Sequence, residues 1–145
     1  MTATRVDFHT QVNDKIHYSC RLIRKARAAN CRIIVLIDNQ EQAKILDQAL
    51  WSLSDADFLP HLMLNDPLAR HTPILIATEI NQDQELPHRD LLLNLSHQVP
   101  VNFAEFNRVI EVVAKEERDA AEARLRFRQY QQFGVKPSHT IASTT

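Results

Sequence analysis

The segment Arg32–Ile37, with the sequence RIIVLI, constrains the fold of this chain more than any other. Its residues after the arginine are all apolar and mostly β-branched, which favours a strand. Neighbouring side chains of a strand point to opposite faces, so an uninterrupted apolar run is typical of a central strand covered on both faces. Such strands occur mainly in parallel sheets whose crossover connections contain helices. The segment therefore predicts an α/β fold.

Helical patterns flank this strand on both sides. Residues 14–30 place apolar side chains at intervals of three and four, as an amphipathic helix does, and Asn30 is suited to end that helix. Asp38 or Asn39 can cap a second helix over about 40–51. The order helix, buried strand, helix predicts a mostly parallel central sheet with helices on both faces.

The remaining pattern adds strands and one long helix. Further elements are predicted as strands at 4–8, 73–78, 90–95 and 109–113, a helical turn at 102–107, and a helix from about 116 to 133. Gly134 is suited to end that helix, because glycine adopts the left-handed conformation common after helix C-termini. Loops are predicted after Trp51 and over 81–89. We therefore expect one domain over 1–134 and a flexible tail over 135–145.

The composition limits the classes of function open to the chain. Gly134 is the one glycine among 145 residues, whereas loops that cradle phosphates need glycines so that backbone amides can approach the ligand. The sequence contains neither a dinucleotide-binding fingerprint nor a P-loop, and we expect no cofactor. The formal net charge of −1 gives no general attraction to nucleic acid or anionic membranes. The longest apolar run is Ile33–Ile37 and no signal-peptide pattern occurs, so a cytoplasmic protein is expected.

Residue types that catalyse reactions or bind metals show no characteristic spacing. The seven histidines form no H-E-x-x-H pair, and none lies in a metal-binding pattern with Cys20 or Cys31, which we expect to be free thiols. No G-x-S-x-G nucleophile motif occurs. We therefore expect no metal site and no catalytic residue, and we favour a binding protein. Two alternatives remain open: a nucleotide-handling enzyme on the same sheet, and direct nucleic-acid binding by the basic faces at 15–27 and 118–128.

Trp51 and Phe58 flank an acidic loop and form the first candidate binding surface. Two interpretations apply to this pair. Both rings could be buried against the sheet edge, or they could form an apolar patch for a protein partner, because aromatic side chains dominate binding anchors. Composition does not decide between the two.

The final helix carries the second candidate surface. On a period of 3.6 residues, Ala123, Phe127 and Tyr130 share one face and are expected to pack inward. Arg124 and Arg128 lie one turn apart on an adjacent stripe, with Phe127 at its edge. Two arginines beside an aromatic ring can bind a carboxylate while the ring takes an apolar side chain. A solvated cationic face, balanced by acidic residues of the same helix, is the simpler alternative.

Several segments, taken in chain order, are similar to the chi subunit family of bacterial DNA polymerase III. They are Arg32–Leu36, Glu41–Trp51 (EQAKILDQALW), Phe58–His61 (FLPH), His88–Leu95 (HRDLLLNL), Phe103–Phe106 (FAEF), Arg108–Val113 (RVIEVV) and Arg124–Tyr130 (RLRFRQY). Together they span nearly the whole chain. The D-x-A-L-W block followed by F-x-P-H, and the terminal R-x-R-F-R-x-Y block, are the most specific of these matches.

The resemblance implies a single Rossmann-like α/β domain without enzymatic activity and with little direct affinity for DNA. Members of this family link the clamp loader to single-stranded DNA-binding protein by holding that protein's acidic C-terminal tail, which ends in phenylalanine. Carried over by position, the tail site would consist of Arg124, Phe127 and Arg128, with Val113 nearby. The family also binds the small psi subunit of the clamp loader, and the matching positions here are Trp51 and Phe58.

Overall fold

A computed structural model describes residues 3–52 and 59–142. The strands are β1 (Arg5–Val12), β2 (Ile33–Leu36), β3 (His61–Met63), β4 (Ile74–Ala77), β5 (Leu91–Asn94), β6 (Arg108–Ala114) and β7 (Ser138–Ile141). The helices are α1 (Lys15–Ala28), α2 (Gln40–Ser52) and α3 (Glu117–Gln132), and short 3-10 turns lie at Ala69–His71 and Phe103–Glu105. Within these ranges, no helix combines the length and the apolar character needed to cross a membrane.

The strands form one sheet in the order β3-β4-β2-β5-β6-β1-β7. Every strand pairing in the described part of the chain is parallel. In the centre, Ile33 of β2 lies opposite both Ile74 of β4 and Leu91 of β5. All residues of β2 are buried. The interior position that the apolar run predicts is therefore confirmed.

Alternate side chains of β2 enter two separate hydrophobic cores. Val35 packs on one face of the sheet in the same cluster as Ile23 of α1 and Leu46 of α2. Ile34 packs on the other face in the cluster that contains Tyr130 of α3. Helices thus cover both faces, and the predicted Rossmann-like α/β architecture is confirmed. Removal of this apolar surface from water is the main force that holds the layers together.

Helices begin and end at residues that the sequence predicts for these positions. Asn39 Oδ1 accepts a hydrogen bond from the Gln42 N–H at 2.9 Å and so caps α2. Asn30, just after α1, has a φ angle of 61°. Gly134 has a φ angle of 85°, and its N–H donates to the Gln131 carbonyl at 3.0 Å. Both positions adopt the left-handed conformation that terminates helices, as predicted.

The edge strands β3 and β7 are absent from the sequence prediction. β7 lies inside the segment 135–145, where a tail is predicted, and it pairs in parallel with β1 so that His139 lies opposite Phe8. All residues of β7 are exposed. Backbone hydrogen bonds to β1 hold such an edge strand, and its side chains therefore need not follow an apolar pattern.

Candidate functional site

An open cavity of about 260 Å³ lies between α3 and the strands β1, β6 and β7, and we call it the α3 pocket. Three of the four residues predicted for the tail site line this pocket. They are Val113 on β6, and Arg124 and Phe127 on α3. Arg128 is exposed on α3 and does not line the pocket. The structure therefore brings together most of the predicted set on one concave surface.

The floor of the α3 pocket is apolar. Phe8 and Val113 are only 2% and 1% exposed, and the Phe127 ring packs against the Phe8 ring with 5.1 Å between their centroids. Ala120 and Ala123 line the helix side with small side chains, which leave space beside the sheet. An aromatic side chain of a ligand could bury its apolar surface in this space.

The rim of the α3 pocket carries a positive charge on Arg124. Its guanidinium Nη2 lies 2.9 Å from Glu117 Oε1 on the same helix. The two side chains are 61% and 85% exposed, and ion pairs this exposed are weak. Arg124 can therefore leave Glu117 for a ligand carboxylate at small cost.

Helical geometry explains why Arg128 lies outside the pocket. An α-helix turns by about 100° per residue, so Arg128 lies about 40° further round the axis than Arg124, on the side away from the sheet. No ion pair joins Arg128 to another residue of the described ranges. Its charge can still attract an anionic ligand over several ångströms.

Strand β1 forms an irregular wall of the pocket. The pairing of β1 with β6 shifts in register between His9 and Val12. Within this bulge Gln11 has a φ angle of 62°, a conformation uncommon for residues other than glycine. Both Thr10 and Gln11 line the α3 pocket. The bulge thus directs the end of β1 toward the pocket, as bulges next to functional sites often do.

A buried polar cluster lies beneath α3, and the sequence did not reveal it. Arg126 is 2% exposed, and its Nε donates to Glu111 Oε1 at 3.0 Å. The hydroxyl of Tyr130 and the side-chain amide of Asn94 donate to Glu111 Oε2 at 2.7 and 2.8 Å. Burial, followed by the Glu111 carboxylate, raises the pKa of Tyr130, which therefore remains a hydrogen-bond donor at neutral pH. The cluster fixes the rotation of α3 and so determines that Arg124 faces the pocket rim.

Trp51, which belongs to the first candidate surface, is 56% exposed at the end of α2. Its ring lies over the imidazole of His61, with 4.7 Å between centroids. His61 is itself buried and fixed, since Nδ1 lies 2.7 Å from the Leu59 carbonyl and Nε2 lies 2.8 Å from Asp47 Oδ1. The Trp51 ring thus rests on a fixed imidazole while more than half of the residue stays exposed, which favours the interpretation as a binding patch. Phe58 lies outside the described residues.

One cluster of possible metal ligands occurs within residues 3–52 and 59–142. His97, Asp119 and Glu122 each place one ligand atom within 4.8 Å of the others. Members of this cluster already have polar partners: His97 Nε2 lies 3.2 Å from Asp119 Oδ1, and Lys15 Nζ lies 3.3 Å from Asp119 Oδ2. His97 Nδ1 lies 2.6 Å from Asp38 Oδ2 on the far side of the ring. The arrangement links α1, α3 and the loops after β2 and β5.

Comparison with known proteins identifies relatives over most of the chain. Residues 3–138 match the family model described as DNA polymerase III chi subunit, HolC. The chain is 31% identical over 137 residues to DNA polymerase III subunit chi of Pseudomonas aeruginosa, covering 90% of this chain and 92% of the relative. It is 27% identical over 111 residues to the protein of the same name from Haemophilus influenzae, covering 77% of this chain and 76% of the relative. It is 25% identical over 115 residues to the protein of the same name from Escherichia coli, covering 79% of this chain and 77% of the relative.

Proposed function

The chain belongs to the DNA polymerase III chi subunit family, and from this premise we propose that it is a non-catalytic adaptor for single-stranded DNA-binding protein. The α3 pocket would hold the acidic C-terminal tail of that protein. The observation that carries the proposal is the adjacency of an apolar floor and a charged rim within one cavity of about 260 Å³. An adaptor of the replicative polymerase would work in the cytoplasm, where the chromosome lies.

The chemistry of the pocket suits a peptide that ends in phenylalanine. The terminal ring would lie on Phe8 and Val113 beside Phe127, and the aromatic contact adds to the free energy of apolar burial. Arg124 would bind a carboxylate of the peptide through two parallel hydrogen bonds. Arg128, one turn further along α3, would attract the acidic residues that precede the terminus.

The size of the site sets the expected affinity. One aromatic anchor and one charged contact should give a dissociation constant on the order of micromolar, about −8 kcal/mol. Because the charged contact is exposed, salt should weaken binding through screening of the attraction between Arg124 and the peptide. A shallow, salt-sensitive site is consistent with an adaptor that must release its partner repeatedly.

Calorimetric titration tests the proposed function directly. The probe is a synthetic acidic peptide that ends in Asp-Phe-Pro-Phe, and the matched control is the same peptide without its last phenylalanine. We expect saturable binding of the first peptide and none of the second, because the apolar floor then stays unfilled. Equal binding of both peptides, or no binding at low salt, would contradict the proposal.

We further propose that Trp51 and Phe58 bind the psi subunit of the clamp loader as a one-to-one heterodimer. Exposure of Trp51 above a fixed His61 supports this, since exposed, pre-oriented tryptophans are frequent energetic centres of interfaces. Trp51→Ala should weaken psi binding by about 2 kcal/mol or more, roughly thirtyfold. Ile45→Ala is the matched control, because Ile45 is also an exposed apolar residue of α2. Equal affinities of the Trp51 variant and the wild type would exclude the patch as the psi site.

A further inference from the structure

The edge strand β7 places His139 in the α3 pocket. In the parallel pairing of β1 with β7, His139 lies opposite Phe8, whose ring forms part of the pocket floor. Register partners on adjacent strands project to the same face of a sheet. His139 therefore lies on the face covered by α3, and it lines the pocket from the strand side.

The contacts of His139 orient its ring. Its Nε2 lies 2.5 Å from the Thr10 hydroxyl, which is the neighbouring polar group of β1. In the described part of the chain no hydrogen-bond partner is seen for Nδ1. When Nε2 accepts a hydrogen bond from the Thr10 hydroxyl, the ring proton is on Nδ1, which can then donate to a ligand carboxylate.

The strand that carries His139 is held in place at both ends. The Ser138 hydroxyl donates to the Asp7 carboxylate of β1, and the backbone N–H of Ala142 donates to the Thr10 carbonyl at 2.8 Å. Because all four residues of β7 are exposed, its side chains contribute little to the core. The pairing with β1 therefore fixes the position of His139 beside the pocket.

We propose that His139 is a specificity-determining contact for the peptide tail, an inference that rests on the proposed function of the α3 pocket. Arg124 would bind one carboxylate from the helix side, and His139 would bind a second carboxylate from the strand side. The terminal ring would lie between them on the apolar floor. A purely apolar pocket accepts any hydrophobic side chain, whereas polar donors on two sides select a peptide with two suitably spaced carboxylates.

Substitution of His139 tests this inference by calorimetric titration with the peptide ending in Asp-Phe-Pro-Phe. His139→Ala should weaken binding about three- to tenfold, the effect of losing one hydrogen bond. His139→Gln keeps a side-chain donor and should recover part of the loss. The matched control is His71→Ala, an exposed histidine of the 3-10 turn before β4, at the other side of the sheet. It should bind like the wild type.

Two modified peptides identify the carboxylate that His139 contacts. One carries a C-terminal amide, and the other has asparagine in place of the aspartate. The effect of His139→Ala should disappear with one of the two, because the partner group has then already been removed. An effect that persists equally with both peptides would overturn the carboxylate contact.

The inference and the proposed function fail in distinguishable ways. If the wild type binds the unmodified peptide and His139→Ala binds it equally well, the role of His139 is overturned while the pocket keeps its function. If the wild type does not bind that peptide at low salt, the proposed function and the role of His139 are overturned together.

Discussion

The Arg124 guanidinium lies 2.9 Å from the Glu117 carboxylate, two turns earlier on α3. The residues are seven apart, which places both on the same face of the helix. Glu117 therefore accepts the Arg124 hydrogen bond that the peptide tail would accept in the proposed complex. Since both side chains are largely exposed, this intramolecular ion pair should compete with the tail only weakly.

Removal of the competing carboxylate should strengthen tail binding. We expect Glu117→Gln to raise the affinity for the acidic peptide about two- to fivefold at low salt, which corresponds to the strength of an exposed ion pair. Calorimetric titration measures the change. Glu116→Gln is the control, because it makes the same change in charge at a neighbouring exposed position without contacting Arg124. Equal gains in the two variants would show a general charge effect rather than competition for Arg124.

The two arginines of α3 should contribute unequally to tail binding. Arg124 lines the pocket and Arg128 does not. We therefore expect Arg124→Ala to cost roughly 1.5–3 kcal/mol, the range for a hydrogen bond to a charged group. Arg128→Ala should cost less, and its loss should vanish at high salt because its effect is long-range. Titrations of both variants at low and high salt would check this, and equal losses at high salt would contradict it.

The central fold could be predicted because the sequence shows directly which strand is buried on both faces and which residues end the helices. The run at 33–37 is apolar on both faces, so it could only belong inside a covered sheet. Asn30 and Gly134 marked helix ends through their backbone preferences. The edge strands β3 and β7 left no such pattern. These two strands are defined by backbone hydrogen bonds to neighbouring strands. A pattern of apolar and polar side chains does not show such pairing.

The candidate site could be predicted only in part, for a related reason. The periodicity of α3 brought Arg124 and Phe127 to one surface, and the resemblance added Val113. The basic face predicted over 118–128 includes Arg126, yet this side chain is buried against Glu111. The available signal was Glu111 itself, a charged residue inside the apolar strand RVIEVVA, since a buried charge needs a partner. His139 could not be found without the position of β7.

The buried pair of Arg126 and Glu111 should be essential for stability. Arg126→Ala would leave the Glu111 carboxyl buried without its cation, and we expect a loss of about 3–5 kcal/mol in the free energy of unfolding. Urea denaturation measures this loss. Arg118→Ala is the control, because the Arg118 side chain is 84% exposed on the same helix, and it should change the free energy of unfolding by about 0.5 kcal/mol or less. Similar small losses in both variants would exclude a structural role for the buried pair.

The carboxylate of Asp119 should make stability depend on pH in the acid range. Burial alone would raise the pKa of Asp119, but the hydrogen bond from the Ala114 N–H at 2.7 Å and the Lys15 ammonium at 3.3 Å together outweigh burial, and the pKa lies below its usual value. A carboxyl whose pKa is lowered by folding stabilises the protein above its unfolded pKa, and this contribution is lost as the pH falls through the folded pKa.

Asp119→Asn should therefore lower the melting temperature at pH 7 and flatten its decline between about pH 5 and pH 2, since the variant has no charge to lose. The curves of variant and wild type should converge at the acid end, because protonated aspartic acid and asparagine both lack the ion pair with Lys15. Thermal unfolding followed by circular dichroism across this range measures both curves. Asp83→Asn, at an exposed position of the loop 81–89, should run parallel to the wild type. A constant difference between Asp119→Asn and the wild type at every pH would show that the carboxylate acts through packing alone.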